Sequence, residues 1–484
     1  MKNDPLRFLL VFACVCGCSR AVGTVRPSGN DPEAVAPVRW ARFDPAPVSG
    51  RLEDRVRTIL LNSNKYALNK WYDQVKKLGG QSGEYLDFGG IREHHIRPVA
   101  SEALALAVSL KFGVYDPAVT GVSETEAVAK AVRMTASLAA RHRVNAGDKG
   151  WGHEWQSALW ASFAATAGWL LWDDLTPQDR ELVRRMAVDE ADRLIDYEVP
   201  YYRDANGKVV FKGDSKAEEN SWNSTILVIA AAMMPEHPHW KGWYDKSVEL
   251  QLSAYAAPQD LRSKRKINGS RLNEILRGSN VDAYGIVVNH NILHPDYMTA
   301  FMHNGYNAWI WRLAGLRMPR ATVYNGDLLY RTLALRPVGD GRTMYVRGDK
   351  GEATPQIYYP EGNDWGYGRQ ANVLMMDVMA MAFGWDKGFD VPASAWADVR
   401  AQEMLRMQAR DTTGQYYQQR QEDFYPSREE WVAYHAAFCY LGLWMKDRGL
   451  HRFTDGKIRC SAVSYKFFRL FWKNANYLHN FVPV

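Results

Sequence analysis

The chain has 484 residues, of which 46% are hydrophobic and 24% are charged, a balance that excludes a disordered chain and predicts a folded protein. Its net charge of +6 suits an anionic ligand but falls far short of the dense basic charge of a nucleic-acid-binding protein, so no nucleic acid is expected as a partner. The 18 tryptophans and 25 tyrosines are more informative, because rings that the core does not need can stack on sugars.

The N-terminal residues have the pattern of a bacterial export signal. Basic residues precede an apolar run at 8–15, which is too short to cross a membrane as a permanent helix. The run leads through small residues to Cys18, as in a lipoprotein signal. We therefore expect 1–18 to be a signal peptide with the lipid on Cys18, and 19–48 to be a flexible tether. The protein would then be anchored to a bacterial membrane, at the outer membrane or the cell surface; a plain secretory signal, which would release it into the periplasm, is the alternative.

From residue 51 onwards, the hydrophobic periodicity predicts a mainly α protein. Helices that are apolar on every side alternate with amphipathic helices that have one apolar stripe. The predicted apolar helices cover 98–112, 157–172, 224–234, 297–313, 370–385 and 429–445, and the amphipathic ones cover 51–78, 124–141, 177–195 and 242–256. Ser123 and Thr176 are predicted N-caps.

This alternation predicts an incomplete α/α toroid over residues 49–484, in which apolar helices form an inner ring and amphipathic helices surround it, in about five to seven helical hairpins. A helical solenoid would alternate similarly, but the chain has no repeat of fixed period. Short alternating runs with glycine turns predict a small β element near 320–360. Cys439 is expected in the core; it could pair with Cys460, but two cysteines do not form a disulfide scaffold.

Four polar and aromatic segments precede apolar helices. They read GWGHEWQS at 150–157, EENSWNS at 218–224, NHNILHPDY at 289–297 and YYPEGNDWGYGRQ at 358–370. In a toroid the starts of the inner helices meet at one end of the ring, so we expect these segments to share one cleft.

The residues of these segments suit β-elimination on a uronic acid polymer. The enzyme must neutralise the carboxylate and remove the proton beside it, and it must also protonate the leaving oxygen. Asn220 or Asn289 could bind the carboxylate, Tyr297 could be both base and acid, and His290 or His294 could be the second proton carrier. The alternative is structural: the asparagines cap helices or turns, the histidines pack in a loop and the tyrosine belongs to the core.

Further residues of these segments could line a sugar site. The candidates are Trp155, Gln156, Trp222, Tyr284, Tyr359, Trp365 and Arg369. Trp222 could equally pack in the core. Arg369 could bind a carboxylate bidentately, or it could pair with Glu361 or Asp364.

Other kinds of site are not indicated. The chain has no Gly-x-Ser-x-Gly nucleophile elbow, no phosphate-binding loop and no cysteine pairs at zinc spacing. The pairs His94-His95 and His237-x-His239 are weak signals for a metal. We therefore expect neither a catalytic metal nor another cofactor.

The motifs ENSWNS, NHNILHPDY and YPEGNDWG resemble those of the α/α-toroid polysaccharide lyases, in particular the heparinase II/III-like and related uronate lyases. The resemblance extends over roughly 80–445 in motif order. It implies an asparagine that neutralises the carboxylate, a tyrosine and a histidine that transfer protons, and an acidic polysaccharide as substrate. Heparinase-type lyases usually continue into a large β-sandwich, for which this chain lacks room, so a toroid-only family such as the rhamnose–glucuronate lyases is an alternative.

Two other functions remain open from the sequence. A glycoside hydrolase on the same fold, such as one acting on unsaturated uronides, would need two carboxylic acids about 5–10 Å apart. The acids available in the four segments are Glu154, Glu218, Glu219, Glu361 and Asp364. A non-catalytic glycan-binding lipoprotein would keep the aromatic residues and tolerate the loss of Tyr297 and His290.

Overall fold

Helices make up most of the structure, as the sequence predicts. The computed structural model describes residues 31–44, 46–425 and 428–453; the predicted signal peptide with Cys18, positions 19–30 and 45 of the predicted tether, and Cys460 lie outside these ranges. The helices are α1 (Arg51–Tyr66), α2 (Glu93–Lys111), α3 (Pro117–Thr120), α4 (Glu124–Ala140), α5 (Arg143–Ala146), α6 (Ser157–Leu170), α7 (Pro177–Asp192), α8 (Ala217–Met233), α9 (Trp240–Ala254), α10 (Leu272–Ile275), α11 (Pro295–Thr299), α12 (Met302–Leu313), α13 (Gly326–Leu335), α14 (Gln370–Phe383), α15 (Ala393–Gln408) and α16 (Glu429–Asp447). Within the described ranges, no helix has the length and apolar character needed to cross a membrane.

Six helices are buried on nearly every side: α2, α6, α8, α12, α14 and α16. Each contacts the next in this order, and α16 contacts α2, so their contacts form a closed series. A Cβ at Gly442 of α16 would lie 2.6 Å from Val378 of α14 and 3.2 Å from Trp309 of α12, so glycine is needed where these three helices meet. The amphipathic helices α1, α4, α7, α9 and α15 pack against this series and keep an exposed face.

The largest difference from the predicted helices is at α8. This helix begins at Ala217, so the predicted start at 224 is wrong, and Asn220 and Ser221 lie inside the helix instead of capping it. Their side chains bond to other segments: Asn220 Nδ2 donates to Pro200 O at 3.0 Å, and Ser221 Oγ donates to Asn304 Oδ1 at 3.0 Å. Because these partners lie outside the helix, the Asn220 amide nitrogen and the Ser221 hydroxyl do not compete with its backbone hydrogen bonds, and the helix can continue through both residues.

Other predicted boundaries are closer to the structure. Ser123 and Thr176 are N-caps, as predicted, and accept hydrogen bonds from Glu126 N and Asp179 N. The predicted helix at 297–313 is divided between α11 and α12. The helices α13 and α15 are not among those predicted. In α15 the buried Arg400 interrupts the apolar stripe, which hides its period in the sequence.

The strands form five antiparallel pairs within the described residues. They are β1 (Arg203–Asp204) with β4 (Gly278–Ser279), β2 (Lys266–Ile267) with β3 (Ser270–Arg271), β5 (Val288–Asn289) with β6 (Ile292–Leu293), β7 (Pro337–Val338) with β8 (Arg342–Thr343), and β9 (Tyr345–Arg347) with β10 (Ala353–Ile357). The predicted β element near 320–360 is therefore confirmed from Pro337 onwards, but it is wrong for the part occupied by α13. Cys439 is buried in α16, as expected of a core residue.

Glu190 of α7 holds the segment that precedes α6. Its side chain is fully buried and accepts hydrogen bonds from His153 N at 2.7 Å, Ser157 Oγ at 2.8 Å and Arg193 Nε at 2.6 Å. His142 Nε2 lies 3.2 Å from it. Burial acts to raise the pKa of Glu190, but the hydrogen bond with His142 and the charge of Arg193 outweigh it and lower the pKa to about 2.

We expect Glu190→Gln to lower the free energy of unfolding at pH 7 by roughly 2–4 kcal/mol. The variant loses a carboxylate whose ionised form is stabilised by its partners in the folded protein. A pKa lowered by folding stabilises the protein above the unfolded value of 4.5, and this contribution is lost as the pH falls towards 2. Urea unfolding at several pH values measures both effects. The matched control is Glu181→Gln, which removes a half-exposed carboxylate of the same helix; equal losses in the two variants would contradict the prediction.

Candidate active site

A cleft of about 530 Å³ lies at the N-terminal ends of α8 and α11. Its lining residues are Trp155, Lys212, Gly213, Asp214, Ser215, Lys216, Glu218, Glu219, Trp222, Asn289, His290, Asn291 and Tyr297. Three of the four polar segments supply most of them. The fourth, 358–370, reaches the same place through Asp364 and Trp365, which contact His290 and Tyr297. The structure therefore brings the four segments together.

A tight β-hairpin presents His290 to the cleft. The strands β5 and β6 are joined by only two residues, His290 and Asn291, with φ angles of 52° and 64°. Two positive φ angles in a two-residue loop are typical of a type I′ turn. The hairpin is tied to the segment before α8, because Asn291 N donates to Gly213 O at 3.0 Å and Ser215 N donates to Val288 O at 2.9 Å.

A series of hydrogen bonds runs from the phenol of Tyr297 to a carboxylate. The Tyr297 hydroxyl lies 3.0 Å from His290 Nε2, and His290 Nδ1 lies 2.6 Å from Asp364 Oδ2. The other oxygen of Asp364 lies 3.2 Å from His294 Nε2. An ionised carboxylate only accepts hydrogen bonds, so we assign the proton of His290 to Nδ1. Its Nε2 is then the acceptor for the Tyr297 hydroxyl.

The surroundings of this series set its protonation. Burial raises the pKa of Tyr297, and the charge of Glu218 raises it further. Partial burial would raise the pKa of Asp364, but the hydrogen bonds with His290 and His294 outweigh it, and the pKa is lowered. Burial lowers the pKa of His294 against the opposing charge of nearby carboxylates. At neutral pH the series therefore holds a phenol, an ionised carboxylate and a neutral His294.

Trp365 packs behind the catalytic candidates. Its ring centroid lies 4.5 Å from that of Tyr297, 4.9 Å from that of His294 and 5.6 Å from that of His290. The guanidinium groups of Arg369 and Arg428 lie 4.6 and 4.5 Å from the same ring, within cation–π distance. Three rings and two cations therefore hold Trp365 in place.

Lys212 and Lys216 extend the lining beyond the candidates from the sequence, and Glu218, one of the acids considered there for a hydrolase, is part of it. Burial raises the pKa of Glu218 to about 8, against the opposing charges of Arg428 and Arg369. Lys216 is paired with Asp214 at 2.7 Å and with Glu219 at 3.3 Å. Lys212 has no ion pair among the described residues. The two lysines stand in FKGDSK at 211–216, and only the position of this segment directly before EENSWNS could have indicated them.

Five of the residues predicted from the sequence line the cleft: Trp155, Trp222, Asn289, His290 and Tyr297. Trp155 is 59% exposed, and its Nε1 donates to Glu219 Oε1 at 2.5 Å. Its ring meets the buried ring of Trp222 edge-on at 4.8 Å. The ring of Trp155 is therefore accessible to a sugar, whereas the ring of Trp222 is buried and packs against that of Trp155.

Asn220 and Gln156, two other predicted residues, are buried outside the lining. Asn220 Nδ2 donates to Pro200 O and to Ser253 Oγ at 3.1 Å. Gln156 Oε1 accepts hydrogen bonds from Trp160 Nε1 at 3.0 Å and from Arg97 Nη1 at 3.2 Å. Both side chains are engaged within the protein.

Five more predicted residues lie outside the lining: His294 and Trp365, which contact His290 and Tyr297, and Tyr284, Tyr359 and Arg369. Tyr284 is 48% exposed, and the guanidinium of Arg336 lies 3.2 Å from its ring centroid. The Tyr359 hydroxyl donates to Asp296 Oδ1 at 3.0 Å. Arg369 pairs with Asp296 at 3.0 Å and with Asp423 at 3.1 Å. The partners of Arg369 are therefore not Glu361 or Asp364, the two expected from the sequence. Glu361 instead accepts a hydrogen bond from Leu293 N, and Asp364 binds the histidines.

Comparisons with models of protein families, with curated proteins and with solved structures find no match for this chain. A function must therefore be argued from the chemistry of the cleft itself.

The close approach at Gly213 gives a test of the hairpin. Gly213 has a φ of +69°, and a Cβ there would lie 2.1 Å from Asn291 Oδ1 and 3.0 Å from Asn291 Cα. We expect Gly213→Ala to loosen the hairpin, so that amide hydrogen exchange at Asn291 and Ser215 accelerates at least about tenfold. Gly207→Ala is the matched control, since Gly207 also has a positive φ, +83°, but nothing within 4 Å of the added Cβ. Equal exchange in the two variants would show that the contact does not hold the hairpin.

Proposed function

We propose that this protein is a polysaccharide lyase that cleaves a uronic acid-containing polysaccharide by β-elimination. The observation that carries the proposal is the hydrogen-bonded series from Tyr297 through His290 to Asp364 on the wall of an open cleft. A phenol with a histidine acceptor can become a base beside a sugar, and no strong nucleophile is required.

The proposed reaction begins when Tyr297 passes its proton to Nε2 of His290, and Asp364 stabilises the resulting imidazolium. The phenolate removes the proton from the substrate carbon next to the carboxylate. The electron pair of that C–H bond then forms a double bond to the neighbouring ring carbon, whose bond to the glycosidic oxygen breaks. Tyr297 protonates the leaving oxygen and recovers its own proton from His290. The net change is the transfer of one substrate proton to the leaving sugar.

We assign neutralisation of the substrate carboxylate to Lys212 and Asn289. Both line the cleft, and the charge of Lys212 is not spent on an ion pair among the described residues, unlike that of Lys216. Stabilising the enolate requires a cation or amide donor already in place where the charge develops. Asn220 is the less suitable amide, because its Nδ2 donates to two protein groups, whereas that of Asn289 donates to one, Ser215 O at 3.2 Å. The exposed ring of Trp155 would stack on a sugar of the chain.

The same proposal includes an incomplete α/α toroid related to the heparinase II/III-like or toroid-only uronate lyases. Support comes from the closed series of contacts among six buried helices and from the helix starts that surround the cleft. The order of the motifs around Asn220, Asn289 and Tyr297 is that of the family resemblance. No reaction step of this proposal requires an organic cofactor.

A glycoside hydrolase is the second candidate, and Glu218 is the observation that favours it. Its pKa of about 8 would keep a carboxylic acid protonated at neutral pH, as the general acid of a glycosidase must be. The other acids of the lining are occupied: Asp214 and Glu219 pair with Lys216, and Glu219 also accepts from Trp155. Asp364, beside the lining, binds two histidines. This shortage of a free second carboxylate favours the lyase.

Ultraviolet absorbance separates these functions, because elimination leaves an absorbing unsaturated uronate end and hydrolysis does not. We expect absorbance to rise with at least one member of a panel of glycosaminoglycans, alginate, pectins and glucuronate-capped arabinogalactan. Tyr297→Phe should reduce the rate about 10²–10⁴-fold. Tyr85→Phe, which removes a hydroxyl bonded to Asp179 outside the lining, should leave it unchanged.

Two results of this assay would contradict the lyase. New reducing ends without absorbance, lost in Glu218→Gln, would indicate the hydrolase. Saturable binding of a polysaccharide without either product, retained in Tyr297→Phe, would indicate a glycan-binding protein.

We also propose that the protein is exported and held at a bacterial membrane by a lipid on Cys18, outside the described residues. In the native host, Cys18→Ser should move the protein from the membrane fraction to the soluble fraction, because the attachment point of the acyl chains is lost. Cys16→Ser is the matched control and should leave it in the membrane fraction. If Cys18→Ser remained membrane-bound, the lipid anchor at this position would be excluded; immunoblotting of both fractions measures the outcome.

A further inference from the structure

Three side chains beside the cleft have the composition and spacing of a metal site. The ligand atoms of His290, His294 and Asp364 all lie within 4.8 Å of one another. Two of these separations are short, since Asp364 Oδ2 is 2.6 Å from His290 Nδ1 and Asp364 Oδ1 is 3.2 Å from His294 Nε2. This is the only group of three or more such residues at this spacing in the part of the chain that the structure describes.

The backbone fixes the three ligands in different ways. His290 is in the two-residue turn of the β5–β6 hairpin, and His294 is the N-cap residue of α11, with its N–H bonded to Val287 O at 3.0 Å. Asp364 follows Asn363, whose Nδ2 donates to Asp296 Oδ2 at 3.1 Å and whose Oδ1 accepts from Trp365 N at 2.8 Å. Such constrained elements place donor atoms before a ligand arrives.

The exposure of the three side chains leaves one side of the group open. His294 is fully buried, whereas the side chains of His290 and Asp364 are 40% and 51% exposed. An ion can therefore enter from solvent and retain positions for water or another ligand, as a catalytic metal site does and a closed structural site does not.

We propose that His290, His294 and Asp364 bind a divalent first-row transition-metal ion, whose open positions accept the substrate carboxylate that Lys212 and Asn289 also bind. Two imidazoles and one carboxylate suit ions such as zinc, cobalt and manganese. Metal–ligand bonds of about 2.0–2.2 Å allow two ligand atoms of one ion to be up to about 4.4 Å apart. At tetrahedral angles the same bonds place two ligand atoms about 3.4 Å apart. Pairs that are wider, up to 4.8 Å, therefore have to close by up to about 1.4 Å, and the 2.6 Å pair of His290 and Asp364 has to open. The exposed side chains of His290 and Asp364 supply this movement.

Metal binding is compatible with proton transfer at Tyr297. When Nδ1 of His290 binds the metal, the proton of the neutral ring is on Nε2 and faces the Tyr297 oxygen, 3.0 Å away. In the metal-free series, the same Nε2–H is formed when Tyr297 gives up its proton. In a metal-bound form Nε2 could not accept a proton, so Tyr297 would release its proton to solvent and recover one from solvent after protonating the leaving oxygen. In both forms the Nε2–H then donates to the phenolate.

This proposal departs from the expectation, drawn from the sequence, that the site holds no metal. The two histidines are four positions apart but belong to different elements, and Asp364 is 70 positions beyond His294, so no spacing in the sequence indicates the set. Metal binding stands on ligand geometry alone; only the role of the substrate carboxylate rests on the proposed function.

The test is calorimetry with Zn²⁺ on the full chain after removal of metals with a chelator, repeated with Co²⁺ by visible absorption. We expect one saturable site per chain, with affinity at least about 100-fold weaker in His294→Ala and in Asp364→Asn, because each removes one of three ligands. Asp364→Asn keeps the shape of a half-exposed side chain, so its effect does not depend on core packing. His239→Ala is the control: it removes a surface histidine that pairs with Asp192 at 2.9 Å and should not change the affinity.

Absence of saturable Zn²⁺ and Co²⁺ binding would overturn the site, as would equal affinities in the wild-type protein and in both ligand variants. Free glucuronate, added to the Co²⁺-loaded protein, should shift the visible bands, whereas glucose should not; no shift would overturn the role of the carboxylate. Elimination activity in a protein that binds no metal would overturn this inference and leave the lyase standing. Metal binding without elimination on any polysaccharide of the panel would contradict the lyase and leave the metal site standing.

Discussion

The position of α11, which carries Tyr297 of the cleft, depends on the buried charge of Arg369. Its guanidinium pairs with Asp296 of α11 at 3.0 Å and with Asp423, in the segment before α16, at 3.1 Å, and it stacks on Trp365. All three charged groups are almost completely removed from water. An unpaired charge at such depth would cost several kcal/mol, about 3–5 by comparison with other buried pairs. The two ion pairs of Arg369 therefore hold the segments before α14 and α16 against α11. They thereby fix the position of Tyr297, which belongs to α11.

Much of the fold and the centre of the site could be predicted because local rules coincide there with the tertiary structure. Helices such as α6 that are apolar all round have to be buried, and the polar residues at their starts then have to share one end. Pro295 is at the first position of α11, as its fixed φ favours. Because α11 starts there, His294 and Tyr297 lie within its first turn, and the centroids of their rings are 4.8 Å apart.

The rest depends on partners that are remote in the sequence. The polar run through Asn220 resembles a helix start, and only the buried acceptors at Pro200 and Ser253 explain why α8 continues through it. In the sequence, Arg369 resembles an exposed residue that could bind a substrate carboxylate. In the structure it pairs with Asp423, which is 54 positions away. Lys212 enters the site because the β5–β6 hairpin docks on its neighbour Gly213. Such contacts are set by the fold and leave no local pattern.

The closed series of helix contacts has a consequence for how the chain acquires its structure. The helix α2 near the beginning packs against α16 near the end, and α1 also contacts α15 and α16. During synthesis, the parts of α2 and α14 that pack against α16 stay uncovered until α16 has emerged from the ribosome. Contacts between such distant parts of a chain slow folding and prolong the exposure of apolar surface. Because these contacts wait for the last helix, apolar surface of the unfinished chain is open to aggregation until α16 docks.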